Sequence, residues 1–305
     1  MSRRWARLAV AGVLALTAVS SAVPILVDGW WLGVGMPDRY AVAIACWASV
    51  LAGLVARARR PDNSIGICLV ISGLLAPPAW LVGSSSPLLI VASGAAFVGS
   101  ATAGAVIPIS FPTGRLDGRA PVALAAVAFS CLTYRVQEVA FLDPAATIAG
   151  WKEPNPWRLA ADPGAVGVFE TVFAIFGIGF MSLFAVWLAR CWWRLTGLAR
   201  RSIAPVLWGA LLFVAASIAQ GVVETARVQG EALSAVQFAH ALSFSAVPVG
   251  ILAGLLRVQM ARSAVVGLVV DLGETPEPAA LRRALATASA TRRSRFCCGL
   301  TRAAT

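Results

Sequence analysis

Eight times along this chain an apolar run reaches or approaches the ~20 residues that an α-helix needs to cross a ~30 Å hydrocarbon core. The runs cover 5–27, 40–56, 65–83, 87–110, 121–141, 168–189, 203–223 and 235–256. Inside lipid no water is available to backbone N–H and C=O groups, so each run must close its hydrogen bonds internally as a helix. Composition agrees with that constraint. Of 305 residues, 59% are hydrophobic and 13% charged, against about 25% charged in soluble domains. Mean hydropathy is +0.79. Charges are too few to clothe a water-soluble globule, and the same numbers exclude a disulfide-rich secreted scaffold and a disordered chain. The expected fold class is all-α: a polytopic integral membrane protein of about eight transmembrane helices.

The arginines orient it. Arg3, Arg4 and Arg7 open the chain; Arg57, Arg59 and Arg60 follow the second run; Arg115 and Arg119 follow the fourth. Arg190, Arg194, Arg200 and Arg201 separate the sixth and seventh, and Arg257 and Arg262 follow the eighth. The intervening gaps hold only Arg39, Lys152, Arg158 and Arg227, mixed with acids. Basic residues accumulate on the cytoplasmic side of a membrane, so both termini are expected inside. A net charge of +11 on one soluble face would point to nucleic acid. Dispersed between spans it marks a membrane surface, so the lipid bilayer is the expected partner and nucleic acid is not. Trp5, Trp30, Trp31, Trp80, Trp151, Trp157, Trp187, Trp192 and Trp193 fall near run ends as an interfacial belt would, while Trp47 lies mid-run. The first run also resembles a signal peptide ending at Ser20-Ser21-Ala22. Cleavage there would leave seven spans; continuation of the run through Pro24 to Val27 favours a retained one.

Chemistry is sparse. His240 is the single histidine, so no histidine pair for a metal exists. There is no HExxH, no phosphate-binding G-x-x-x-x-G-K-[ST] loop and no G-x-S-x-G elbow. No catalytic, cofactor or metal residues are assigned. Cys46, Cys68 and Cys131 lie inside apolar runs and read as small buried hydrophobes. Polar side chains within the runs are the better lead, because they are costly in lipid and turn toward a bundle interior. Arg135 and Glu138 share a helix face, Glu170 opens the sixth run, Gln220 and Glu224 close the seventh, and Gln237 and His240 open the eighth. All seven would lie toward the outer leaflet. They are expected either to line an outward-facing polar cavity, with Arg135 paired to Glu138 or Glu170, or to act as hydrogen-bonding glue between helices. Ser100-x-x-x-Gly104 and Gly99-x-x-x-Ala103 permit close packing within the bundle.

Two turns carry a family resemblance. One is Arg57-Ala58-Arg59-Arg60-Pro61-Asp62-Asn63-Ser64-Ile65-Gly66, in which Pro61 stops the preceding helix and Asn63 or Ser64 caps the next. The other is Phe111-Pro112-Thr113-Gly114-Arg115-Leu116. Together they resemble the membrane-spanning input region of a bacterial sensor histidine kinase family, in which R-R-P-x-N-x-I-G and F-P-x-G-R-L recur. The likeness covers roughly 40–288, with Asn155-Pro156 in the long outer loop and a short helix over 278–286 opened by Thr275 and Pro276. Asp117 departs from it, since the family often places a proline there. The resemblance implies a span domain over 1–256, a juxtamembrane segment over 257–288 that begins a GAF-like domain, and a location in the bacterial cell membrane. It further implies a dimerising phosphoacceptor helix and an ATP-binding domain later in the intact family, with a response regulator as partner if a kinase portion exists; a homodimer is compatible with it.

Residues 289–305 break the pattern: Arg292, Arg293 and Arg295 crowd around an irregular stretch containing Cys297 and Cys298. Read one base out of frame with permissible codons, this tail becomes Leu-Gly-Asp-Pro-Ser-Leu followed by a hydrophobic strand, the family's continuation. A frameshift near codon 289 is therefore expected. In this chain no phosphoacceptor or ATP-binding motif is present, and His240, buried in a span, cannot substitute. The function expected is a membrane-embedded sensory module without its kinase domains. A transporter or permease and a standalone membrane scaffold stay open as alternatives.

Overall fold

The computed structural model describes residues 3–26, 36–79, 87–110, 116, 118, 120–141, 158–159, 163–194, 197–226, 228, 230–257 and 260. Among them every regular element is helical and no strand occurs. The helices are α1 (Arg3–Leu26), α2 (Met36–Arg59), α3 (Ser64–Leu75), α4 (Pro87–Ser110), α5 (Ala120–Phe141), α6 (Pro163–Arg194), α7 (Gly197–Thr225) and α8 (Glu231–Ser243). After a two-residue break α8 resumes over 246–257. The chain divides into two units, Met1–Gly254 and Leu255–Thr305. The helices pack within the first; the short helix expected over 278–286 and the tail lie outside the described residues.

Asp38–Arg59, Gly167–Arg194, Ile203–Thr225 and Glu231–Arg257 are long and apolar enough to cross a bilayer. Arg7–Ala22, Ser64–Leu75, Val91–Ile107 and Ala120–Val136 are shorter apolar helices. This is the make-up of a helical membrane protein. The outward surface agrees: on α6, Val168, Val172, Ile175, Phe176 and Leu183 are all exposed, a continuous apolar face that water would not tolerate. At 32 residues α6 is about 48 Å long, more than the ~30 Å thickness of a hydrocarbon core.

Neighbours run antiparallel. Gly53 lies against Gly66 and Val70, and Gly73 against Cys46 and Ser49. On the next pair Ser72 meets Ser100, then Tyr134 meets both Phe97 and Phe173. α7 and α8 run past each other from Ser217–His240 through Gly209–Ala246 to Pro205–Gly250. α8 also returns to the start of the bundle. Ala241 packs with Ala41 and Val42 of α2, and Val247, Ile251 and Leu252 pack on Ala52, Leu69 and Ile107. A second centre joins α6 and α7 through Leu188, Leu207, Ala210 and Val214.

In lipid no hydrophobic drive separates helix from solvent, so close van der Waals approach and interhelical hydrogen bonds hold such a bundle. Both occur here. Ser72 Oγ donates to the Ser100 carbonyl at 3.1 Å and Ser100 Oγ to the Ser72 carbonyl at 3.0 Å, each worth about 0.6 kcal/mol. Gly99 and Gly104 of α4 face Leu75 and Ser72 of α3, so the small residues noted on that run serve packing inside the bundle. Trp47 Nε1 donates to Ser21 Oγ at 3.0 Å, and Ser20 Oγ to the Leu74 carbonyl at 2.9 Å. These bonds fasten α1 to α2 and α3.

One run boundary needs correction. The third run was expected to be helical through residue 83, but α3 ends at Leu75, where the Ala76 N–H closes on the Ser72 carbonyl at 3.0 Å. Pro77 and Pro78 supply no N–H to continue it, and hydropathy is blind to that loss. The eighth run lies inside Glu231–Arg257 as expected, with a two-residue turn at Phe244 and Ser245. Ser243 Oγ donates to the His240 carbonyl and Ser245 Oγ to the Leu242 carbonyl, both at 2.6 Å. Such back-bonding competes with the helical ladder and tightens the turn.

Candidate functional site

The turn between α2 and α3 is built by its own residues. Arg57 and Arg59 end α2, where the helix dipole favours cations. The Arg60 N–H still reaches the Ala56 carbonyl at 2.9 Å, and the Asn63 N–H reaches the Arg60 carbonyl at 3.1 Å. Pro61, between them, turns its carbonyl to accept from Arg57 Nη1. Asn63 is extended at φ −95°, ψ 124°, and its Oδ1 accepts from the Ile65 N–H at 2.8 Å. Of the two capping candidates, Asn63 therefore caps α3. Gly66 is buried; a Cβ there would stand 2.8 Å from Arg57 N and 2.9 Å from the Gly53 carbonyl oxygen, so only glycine lets α2 and α3 approach this closely. Arg59, Arg60 and Asp62 are exposed. Replacing Asn63 by alanine is expected to lower bundle stability by about 1 kcal/mol, read as an earlier denaturant midpoint of the detergent-purified chain, while Asn63→Asp stays near wild type. An alanine variant with an unchanged midpoint would remove the cap from the account.

In the second turn Leu116 is exposed; Phe111, Pro112, Gly114 and Arg115 lie outside the described residues.

Among the candidate polar residues whose side chains are described, Arg135 is the most enclosed, at 6% exposure. α5 carries it into the space between the end of α3 and α4. Its Nη2 donates to the Ala79 carbonyl at 2.9 Å, and its guanidinium carbon lies 4.2 Å from the Phe97 ring centroid and 5.9 Å from that of Tyr134. Arg135 thus ties α5 to α4 and to the segment that follows α3 through one planar cation. Glu138 and Glu170 sit on α5 and α6, but their side chains are outside those described, and so is the expected pairing with Arg135.

A separate group forms on α7 and α8. Ser217 Oγ donates to the Phe213 carbonyl at 2.8 Å and lies 3.3 Å from His240 Nε2. The imidazole is flanked by Phe213 and Phe244, with centroids 6.1 and 5.0 Å away. One turn along, Gln220 Nε2 donates to Glu224 Oε1 at 2.5 Å, and Gln237 is half-buried on α8.

The structure therefore brings Gln220 to Glu224 and His240 to Ser217, and sets Arg135 on another helix pair. Sequence reasoning missed Ser217, Phe97 and the Ala79 carbonyl. Only a serine in an apolar helix leaves any sequence signal, and a weak one; the other two are set by register between helices. It also missed Asp38, 3% exposed in the first turn of α2, where an acid suits the helix dipole. Cys46 and Cys131 are buried and Cys68 is half-buried, all as free thiols.

Comparison of the chain with protein-family models, with curated proteins and with solved structures finds no match in any of the three.

Proposed function

We propose that this chain is the membrane-embedded input module of a receptor resembling bacterial sensor histidine kinases. It lies in the cell membrane as eight spans, with both termini and the arginine-rich turns on the cytoplasmic side. The observation that carries the reading is the 57–66 turn: Pro61, Asn63 and Gly66 stop one helix, cap the next and let the two pack. Antiparallel packing supports the orientation, since it gathers that turn and the α6–α7 turn at one end of the bundle. A signal acting on the opposite end would bias a two-state shift of the bundle by contacting the two states differently. α8 is the output element, and its break at Phe244 and Ser245 divides it beside His240. Phosphoryl transfer with ATP, and a response regulator, belong to kinase parts that this chain would have to be joined to.

The test fuses the chain through residue 288 to the dimerising and catalytic portion of a histidine kinase in bacterial membranes. His240→Phe is expected to shift basal autophosphorylation severalfold while insertion and abundance stay constant. Output indistinguishable from wild type, or reporter fusions placing residues 59 or 115 outside the cell, would overturn the proposal.

A further inference from the structure

α1 is built the reverse of a helix that meets water. Leu8, Leu16, Val19 and Leu26 are exposed, while Thr17 and Ser21 are buried and Ser20 is half-buried. Thr17, Ser20 and Ser21 share one face at helical spacing, and α1 packs along α2 and α3. Each of those two helices holds a polar group that its own backbone ladder does not satisfy. In α3 the Leu74 carbonyl would accept an N–H from residue 77 or 78, and both are proline, which has none. Ser20 Oγ donates to that carbonyl at 2.9 Å. In α2 Trp47 carries an indole N–H in the middle of an apolar run. Its Nε1 donates to Ser21 Oγ at 3.0 Å, and Ser21 Oγ donates in turn to the Ala18 carbonyl at 3.2 Å. A polar group without a partner is costly in hydrocarbon, where no water replaces it. The segment Ser20-Ser21-Ala22, which resembles the end of a signal peptide, thus lies within a helix that runs on to Leu26 and supplies both missing partners.

We infer that α2 and α3 form a permanent seat for α1, and that Ser20-Ser21-Ala22 locks α1 into it instead of serving as a cleavage site. A peptidase would have to draw this segment out of its helix and off two interhelical hydrogen bonds. Removal of α1 would leave the Trp47 N–H and the Leu74 carbonyl facing lipid. Chemistry selects the occupant: the seat fits an apolar helix that brings a hydroxyl donor and a hydroxyl acceptor at adjacent positions, as Ser20 and Ser21 do. The inference rests on the membrane-spanning part of the proposal above and is independent of the kinase part, since loss of α1 would leave seven spans with the orientation of the others unchanged.

The experiment begins with the intact mass of the full chain, purified from bacterial membranes through a C-terminal tag. The expected mass retains Arg3–Leu26; a chain that begins at Ala22 or Val23 would overturn the inference. A site for a sequence-specific protease is then inserted within residues 27–35, between α1 and α2, and cut in detergent. The α1 fragment is expected to stay with the tagged remainder. Ser20→Ala combined with Ser21→Ala should weaken its retention about eightfold, and Trp47→Phe about threefold. In the Ser21→Ala background Trp47→Phe should have no further effect, because both changes remove the same bond. Gly12→Ala, where a Cβ meets nothing within 4 Å, should change retention by less than about twofold. Loss of α1 from the cut wild-type chain, a double serine variant that holds α1 as the wild type does, or independent effects of Trp47 and Ser21 would each overturn the seat. Release of the uncut wild-type chain from membranes by alkaline carbonate would instead overturn the membrane reading beneath it.

Discussion

Leucine at Gly209 or Gly250 is expected to cost about 3 kcal/mol or more apiece, and the two together to abolish folding. A Cβ on Gly209 would collide with the Ala246 carbonyl oxygen and stand 2.8 Å from its carbon and 3.2 Å from Val247 Cα. One on Gly250 would collide with the Pro205 carbonyl oxygen and stand 3.0 Å from Val206 Cα. These neighbours are backbone, so no rotamer change relieves the contact and the two helices must separate. Overpacking commonly costs about 1–3 kcal/mol when side chains can yield, and here they cannot. Separation would also part Ser217 from His240 and pull Val247 from the α6–α7 centre. Alanine at either site carries the same colliding Cβ but no further side-chain atoms, so it is the milder case. Gly177 and Gly179 on α6 are the controls: a Cβ at either meets nothing within 4 Å, so alanine there should leave stability unchanged or raise it by up to about 1 kcal/mol. Unfolding titrations in mixed micelles read all of these. Leucine variants at 209 and 250 that unfold like those controls would show that the α7–α8 crossing is not held by backbone contact.

How much of this was legible beforehand depends on which force sets each feature. Hydropathy places the runs, because removing apolar side chains from water outweighs the weaker local preferences of the chain, and α4 occupies 87–110 as the apolar run predicts. Helix ends follow another rule. α2 reaches Arg59 and α6 extends from Pro163 to Arg194, past the apolar residues, because the backbone ladder is indifferent to side-chain polarity. α3 stops early at its prolines for the converse reason. In the candidate site, Arg135 and His240 were legible as polar residues too costly to leave facing lipid. Their partners were not: a carbonyl at Ala79, a ring at Phe97 and a hydroxyl at Ser217 become neighbours only once the helices take their register. Proximity in depth along the spans suggested a single cluster. Arg135 meets Ala79 and Phe97 beside α4, whereas the second group lies between α7 and α8, and periodicity in one chain cannot say which helices become neighbours.

Arg135→Lys, conservative in charge, is expected to destabilise the bundle by about 2–4 kcal/mol. The loss has two parts. Arg135 spans from α5 to the Ala79 carbonyl with one edge of its guanidinium while its face covers Phe97 at 4.2 Å. An ammonium is a compact point charge that cannot stack and donate in plane simultaneously. A hydrogen bond from a charged donor is worth about 1.5–3 kcal/mol, and a desolvated cation–π contact about 2 kcal/mol. Lysine keeps the cost of an enclosed charge and forfeits most of one contribution or the other. A double-mutant cycle isolates the stack: Phe97→Leu alone, Arg135→Lys alone and both together should show a coupling of about 1–2 kcal/mol, the range for side chains in direct contact. Wild-type stability for Arg135→Lys would mean that charge alone is required at this position. Coupling near zero would mean that Phe97 serves only as apolar filling. Either result would return Arg135 from a geometric tie between α5, α4 and the segment after α3 to a buried cation whose role lies in its electrostatic field.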